Sequence, residues 1–308
     1  MALDPQVRDL LDMIAAAGNP PMSEQTPEEA RAGFAALAAL AGPAEELVPV
    51  EDRSVPGPAG DIPVRLYRPG SDGPLPVVVY FHGGGFVIGD IATHDAICHR
   101  LAAGVPALVV SVDYRLAPEH PFPAAVEDCD AATGWVSAHA VELGADPARL
   151  AVAGDSAGGN LATVVARHAR DRGGPPVAFQ LLIYPGIDMT RSFPSHSENG
   201  EGYLLDTDTM TWFLGNYLAD ADPRHPDASP IFAEDLSNLP PALVLTAEFD
   251  PLRDEGETYA QRLREAGVVA TTSRYDGMIH AFYGLDGILD SAKSATAGTT
   301  AALRDALR

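Results

Sequence analysis

Ser156 stands at the centre of Gly154-Asp155-Ser156-Ala157-Gly158. Before it lies a short apolar run, Leu150 to Ala153, which reads as a buried parallel strand, and after it a small-residue stretch opens a helix to about Arg172. A Gly-x-Ser-x-Gly at a strand-to-helix junction is the pattern of a nucleophile elbow. The turn is so sharp that the neighbours of the serine must lack bulk, which Gly154, Ala157 and Gly158 satisfy. A serine held there sits on strained backbone with its hydroxyl exposed at the top of the sheet. The following helix aims its free N–H groups and positive dipole end at the same point. The chemistry of such a serine is nucleophilic attack on an acyl carbon.

A serine nucleophile needs a base, and the base needs an orienting acid. On this kind of scaffold they follow in the order Ser, acid, His. Of nine histidines, only His280 lies beyond the final strand candidates, in the loop Asp276-Gly277-Met278-Ile279-His280-Ala281-Phe282 after a strand ending at Tyr275. The acid should end the preceding strand, where Leu243 to Ala247 runs into Glu248-Phe249-Asp250-Pro251-Leu252-Arg253-Asp254. Glu248 and Asp250 both qualify by position. Asp250 is the better candidate, because Pro251 fixes the following turn and aspartate has the shorter reach, while Asp254 is expected to cap the next helix. Donors for a developing oxyanion are offered by His82-Gly83-Gly84-Gly85-Phe86, directly after the strand Leu75–Phe81. Three successive glycines let backbone N–H groups point inward, and with the N–H of Ala157 they form the candidate oxyanion set Gly83, Gly84, Gly85 and Ala157.

Other clusters fall short of a site. His94 and Cys98 are four apart on one helix with His99 beside them, but no third ligand is near in sequence, so helix packing is expected. Asp206-x-Asp208 lacks the glycine and glutamate of a calcium loop, and Asp208 is expected to cap the helix after it. Glycines 83–85 lack the Lys-Ser/Thr of a phosphate loop. Lys293 is the only lysine, which disfavours Schiff-base chemistry. No metal and no cofactor are expected.

These residues must be positioned by a chain of 308 residues, near the upper size for one hydrophobic core. Forty-three acidic residues against 20 basic ones give a net charge of −23, which argues against nucleic acid and anionic membrane surfaces as partners. No run approaches the roughly 18 apolar residues of a membrane span. The start, Met1-Ala2-Leu3-Asp4-Pro5, lacks the features of a signal peptide, and Cys98 and Cys129 are the only cysteines. Both points lead to the expectation of a cytoplasmic protein with reduced, core-filling thiols.

Two helices come first. Asp4 and Pro5 look like the N-cap and first residue of one, with Val7, Leu10, Leu11 and Ile14 at helical spacing. Thr26-Pro27-Glu28-Glu29 is a capping box opening the second, through Phe34, Leu37 and Leu40. Residues 47–54 and 62–67 read as strands around a Pro/Gly turn, both of them edge strands on account of Pro49 and Pro63. Strand candidates at 75–81, 107–113, 150–153, 179–184, 242–247 and 270–275 then alternate with helices near 94–103, 124–142, 158–172, 254–266 and 291–307. That alternation implies an α/β fold with a mostly parallel sheet covered on both faces. Between Gly186 and about Pro230 it is interrupted by polar, proline-rich sequence around an aromatic helix, Thr209–Leu218. Met210, Phe213, Leu214 and Tyr217 share one face of that helix, with Trp212 at its flank. Ligands of open α/β sheets bind outside the carboxyl ends of the strands, so this insertion, with the N-terminal helices, reads as a cap (about 1–45 and 186–230) on a single domain. Phe86, Trp212 and Phe213 are its candidate substrate contacts.

Five pieces together resemble the bacterial hormone-sensitive-lipase family of esterases. They are His82-Gly83-Gly84-Gly85-Phe86, Asp113-Tyr114-Arg115-Leu116-Ala117-Pro118-Glu119-His120, Gly154 to Asn160, Asp250-Pro251-Leu252-Arg253-Asp254 and Asp276-Gly277-x-x-His280. The resemblance implies an α/β-hydrolase fold with an eight-stranded sheet and a two-part helical cap, Ser156 as nucleophile, Asp250 as acid and His280 as base. It also implies Gly84, Gly85 and Ala157 as oxyanion donors with Gly83 shaping the loop, no cofactor, small acyl esters of short to medium chain as substrates, and frequent homodimers. One residue departs from the pattern: Ala281 replaces the usual glycine after the histidine, adding a methyl group that constrains the loop. Amide or formamide hydrolysis uses the same machinery and stays open as an alternative. A ligand-binding receptor on this fold is the other alternative, disfavoured because such receptors lack the histidine.

Overall fold

In the computed structural model, which describes residues 2–39, 42–44 and 46–308, the chain opens with helices α1 (Pro5–Ala17) and α2 (Pro27–Ala39). A hairpin of β1 (Val50–Gly57) and β2 (Gly60–Tyr67) follows. Strands and helices then alternate through β3 (Leu75–Phe81), α3 (Asp95–Gly104), β4 (Leu108–Val112), α4 (Ala124–His139), β5 (Ala145–Asp155), α5 (Ala157–Arg172) and β6 (Val177–Ile183). An excursion holds the short α6 (Ser195–Glu198) and α7 (Thr207–Leu218). The alternation resumes with β7 (Ala242–Phe249), α8 (Arg253–Glu265), β8 (Ala270–Ile279) and α9 (Asp290–Ala306).

The helix starts follow local chemistry. Asp4 accepts the N–H of Gln6 at 2.8 Å with Pro5 in the first turn, and Thr26 and Glu29 exchange the two bonds of a capping box at 2.9 and 3.3 Å. Leu40, expected on α2, lies outside the described residues. The cap of α7 is Asp206, whose carboxylate accepts Thr209 N–H at 2.7 Å, and not Asp208. Asp206 has extended backbone and the helix begins at Thr207, so Asp208 already falls in the first turn. Asp254 does not cap α8 either: Asp250 accepts the N–H of Leu252 at 2.8 Å, closing that turn itself, and Asp254 instead accepts Ser195 N–H at 3.0 Å.

The eight strands form one sheet in the order β1-β2-β4-β3-β5-β6-β7-β8, antiparallel for β1/β2 and β2/β4 and parallel elsewhere. β1 is an edge strand as expected, but β2 is not. Pro63 is tolerated inside the sheet because the β2–β4 ladder begins only at Val64, and its carbonyl still accepts Asp113 N–H at 3.0 Å. β3 is buried along its whole length and feeds two cores by alternation. Val77, Val79 and Phe81 pack with α4, α5 and α8, whereas Val78 and Tyr80 pack with α1, α3 and α9. Cys98 and Cys129 are free and buried on opposite faces of this sheet. The chain leaves β3 to one side and β5 to the other, so the crevice at their carboxyl ends is a topological switch point. No helix among the described residues is long and apolar enough to cross a membrane.

The stretch returning from α7 is fastened to α5. Asn160 Nδ2 donates to Gly186 O at 2.8 Å and Ala228 O at 2.7 Å. His168, buried, places Nδ1 2.6 Å from Asp130 of α4 and Nε2 2.8 Å from Asp227 of the returning stretch, and Arg167 also pairs with Asp227. With a carboxylate on each nitrogen the ring holds both protons. Burial alone would lower the affinity of the imidazole for its proton, but the two carboxylates outweigh it and hold His168 above its ordinary value. Because the folded value is raised, this contribution to stability is complete below the unfolded value, about 6.5, and drains away as pH rises through the folded one. A His168→Gln variant is therefore expected to lose most melting temperature, relative to the parent, in mildly acidic buffer and least at alkaline pH. Thermal unfolding across pH 5 to 9 checks this, and a pH-independent difference would contradict it.

Candidate active site

β5 ends in the elbow. Ser156 has φ 52° and ψ −115°, a conformation that non-glycine residues enter only where the surroundings impose it, and its N–H donates to Ile183 O at 2.8 Å. The flanking glycines allow the approach: a Cβ on Gly158 would meet Phe81 O at 1.9 Å, and one on Gly154 would meet the Gly158 backbone at 2.3 Å. The first turn of α5 can thus lie against the end of β3, with its N-terminus behind the serine.

Three side chains from three strand ends meet here. Ser156 Oγ is 2.9 Å from His280 Nε2, and His280 Nδ1 is 2.8 Å from Asp250 Oδ2. Asp250 is fully buried just beyond β7, and its other oxygen accepts Leu252 N–H. An ionised carboxylate only accepts, so Nδ1 carries the proton and Nε2 presents its lone pair to the serine. Glu248, the other carboxylate that qualified by position, is turned to β8, where it accepts Gly277 N–H at 2.8 Å. His280 follows directly on β8, which runs on to Ile279 instead of stopping at Tyr275. Its ring lies 4.7 Å from that of Tyr184, the residue that ends the expected strand 179–184 beside the crevice but that no motif marks as part of a site. Ala281 has φ 66°, so the methyl that replaces a glycine costs about 1 kcal/mol of left-handed strain.

Gly84, Gly85 and Ala157 line the same pocket as Ser156 and His280. Gly83 does not belong with them. Its N–H is held by Asp155 Oδ1 at 2.9 Å, and so cannot serve an oxyanion. His94 is buried against the glycine loop, with Nε2 3.4 Å from Asp155. Groups of three or more metal-ligating side chains are absent among the described residues.

The pocket above the serine is walled mainly by apolar side chains. Phe34 and Leu37 of α2 and the preceding Met22 contribute from the N-terminal segment, and Met210, Phe213 and Leu214 contribute from α7. α1 lies elsewhere, burying Val7 and Leu10 against the β8 and α9 side of the sheet. Phe213 comes so close to the oxyanion loop that a Cβ on Gly85 would meet its ring at 2.3 Å. Phe86 reaches the pocket but is almost wholly buried, stacked on Tyr217 with centroids 3.7 Å apart. Trp212, expected as a substrate contact, is not in the wall; it packs edge-on against Phe213 at 5.3 Å. Neighbouring helix positions point about 100° apart, so only one of the two rings can face the cavity.

A family model described as the α/β hydrolase fold matches residues 78–284. The carboxylesterase NlhH of Mycobacterium tuberculosis is 45% identical over 99% of this chain and 96% of its own length. An ethyl acetate hydrolase of Pseudomonas putida is 40% identical over 95% of each chain. The solved structure of a hyperthermophilic esterase from the archaeon Pyrobaculum calidifontis superposes with a TM-score of 0.95 at 47% identity, covering 99% of both chains.

Proposed function

The chain belongs to the α/β-hydrolase fold family, on its hormone-sensitive-lipase branch, and is a carboxylic ester hydrolase; from that premise we propose that Ser156, His280 and Asp250 are its catalytic triad and Gly84, Gly85 and Ala157 its oxyanion hole. The observation that carries this reading is the unbroken pair of hydrogen bonds, 2.9 Å from Ser156 to His280 and 2.8 Å from His280 to Asp250.

Ser156 Oγ attacks the ester carbonyl as His280 Nε2 takes its proton, and the buried Asp250 carboxylate holds the imidazolium in place. Negative charge on the former carbonyl oxygen is met by the three backbone N–H groups and the N-terminal end of α5. His280 then gives the proton to the departing alcohol. Water enters, His280 deprotonates it, and its attack on the acyl-serine releases the acid. Nothing in this sequence is peculiar to oxygen leaving groups, so activated amides are expected as slower substrates of the same site. The two buried free thiols support a reducing, cytoplasmic setting.

Residues 22–39 and 186–230 form, in this reading, a cap that closes over the acyl chain. The apolar wall contributed by Met22, Phe34, Met210, Phe213 and Leu214 supports it, as does the name of the P. putida relative, whose substrate carries a two-carbon acyl group. Each buried methylene is worth about 0.8 kcal/mol until the wall is reached. Activity on p-nitrophenyl esters is expected to rise from acetate to butyrate or hexanoate and to collapse by palmitate. Phe213→Ala should move the optimum to longer chains, whereas Trp212→Ala should leave it in place. An unchanged profile in the Phe213 variant would show that this ring only glues α7 to the body.

A further inference from the structure

Asp155 is the residue before the nucleophile, yet its carboxylate reaches away from the elbow to a different strand end. Oδ1 accepts the Gly83 N–H at 2.9 Å and the Tyr80 hydroxyl at 2.7 Å, and His94 Nε2 stands 3.4 Å away. All four side chains or peptides are buried. The fit is close, since a Cβ on Gly83 would lie 2.3 Å from Asp155 Oδ2. Tyr80 and Gly83 belong to β3 and the loop leaving it, and Asp155 and Ser156 to the end of β5, so one carboxylate ties the oxyanion loop to the nucleophile.

We propose that Asp155 is a positioning residue for catalysis: by holding the Gly83 N–H it anchors the start of the loop to the nucleophile's own strand end, so that the next two N–H groups, those of Gly84 and Gly85, stay aimed at the oxygen that becomes charged on attack by Ser156. The three glycines have no side chains to fix their dihedrals, and two of them sit at φ 119° and 58°, conformations with many glycine-accessible neighbours. The restraint therefore comes from bonds to the backbone itself: His82 Nδ1 stands 2.8 Å from Gly83 O, Gly84 O accepts the N–H groups of Val87 and Ile88 at 3.0 and 2.9 Å, and Asp155 holds the Gly83 N–H from which the loop starts. The carboxylate stays ionised to make that bond. Burial pushes it toward the neutral acid, but the charge and hydrogen bond of His94, with the Tyr80 hydroxyl, outweigh burial and hold it below the ordinary range. In the transition state the donors are thus already in place, which is where oxyanion stabilisation gains its strength.

This inference rests on the triad and oxyanion assignment above, and the two can fail separately. Phosphonate labelling of Ser156 tests the assignment; substitutions at Asp155 test the inference. Asp155→Ala is expected to lower kcat about a hundredfold, the scale of losing one oxyanion donor, with KM for p-nitrophenyl butyrate little changed. Affinity for a trifluoromethyl ketone, which forms a charged adduct with the serine, should weaken in parallel with kcat/KM. Asp155→Asn should restore kcat to within about tenfold of the parent, because its amide oxygen can accept the same two hydrogen bonds. Should the alanine variant not fold, Tyr80→Phe removes one support of the same oxygen and should lower kcat and ketone affinity together by several-fold. Equal damage from Asn and Ala, or a loss of kcat in Asp155→Ala or Tyr80→Phe without a matching loss of ketone affinity, would overturn the proposal, as would kcat within threefold of the parent in both variants.

Discussion

Replacing Ser156 by alanine is expected to abolish ester hydrolysis, with kcat falling about a million-fold, the scale seen when the nucleophile of such a triad is removed. The loss is so large because the other parts have nothing to act on: His280 can remove a proton only from the Oγ that sits 2.9 Å from its Nε2. The fold should survive. Alanine keeps the backbone bonds of the elbow, from Ser156 N–H to Ile183 O and from Asn160 N–H to Ser156 O, and removes one partly exposed hydroxyl. Stability within about 1 kcal/mol of the parent is therefore expected, since no core cavity is created and the one nitrogen that loses its partner, His280 Nε2, belongs to a side chain lining the pocket. Intact-mass measurement after treatment with an alkyl phosphonate makes the result specific: the parent gains one adduct and the variant none. An adduct on another residue, or more than a hundredth of the parent activity in the variant, would remove Ser156 from the role.

Asp250→Asn should cost roughly 10⁴ in kcat, while Glu248→Gln should cost less than tenfold. The two carboxylates stand two residues apart and differ in what they hold. Asp250 receives Nδ1–H of His280 at 2.8 Å and so compels the tautomer whose Nε2 can accept the serine proton. An asparagine can present its N–H₂ to Nδ1 instead, which moves the ring proton to Nε2 and leaves the serine facing a donor. Glu248 accepts Gly277 N–H at 2.8 Å, a bond that the oxygen of a glutamine can keep. Steady-state kinetics of both variants on one short ester decide the matter. If Glu248→Gln is the more damaging, the acid has been assigned to the wrong side chain.

Much of the molecule is local and could be read from residue order alone. β3 is legible because the side chains of Leu75–Phe81 are apolar but for the hydroxyl of Tyr80, as a strand buried on both faces requires. The elbow is legible because small residues must flank a serine in that turn, and the oxyanion loop because consecutive glycines follow a strand. His280 follows from chain order once the serine is placed, and chain order narrows the acid to Glu248 or Asp250, with Pro251 and the shorter side chain favouring Asp250. Helix starts at Asp4 and Thr26 are legible for a similar reason, since a cap and the N–H that donates to it lie within three residues of each other.

Tertiary structure decided what depends on partners far along the chain. Whether Asp206 or Asp208 caps α7 turned on a two-residue shift in where the helix begins, and whether Trp212 or Phe213 faces the cavity turned on a rotation of about 100°. Pro63 could sit inside a sheet only because of where β4 happens to end. Among the triplet of glycines, residue type treats Gly83, Gly84 and Gly85 alike, and only the family resemblance sets Gly83 apart. The physical reason is Asp155, 72 positions away from Gly83, whose carboxylate takes up the Gly83 N–H and leaves the next two free to donate. Periodicity and motif describe a residue by its neighbours along the chain. The direction of a single N–H is set by whatever the fold brings within 3 Å of it, and that is known only once the strands have found their order.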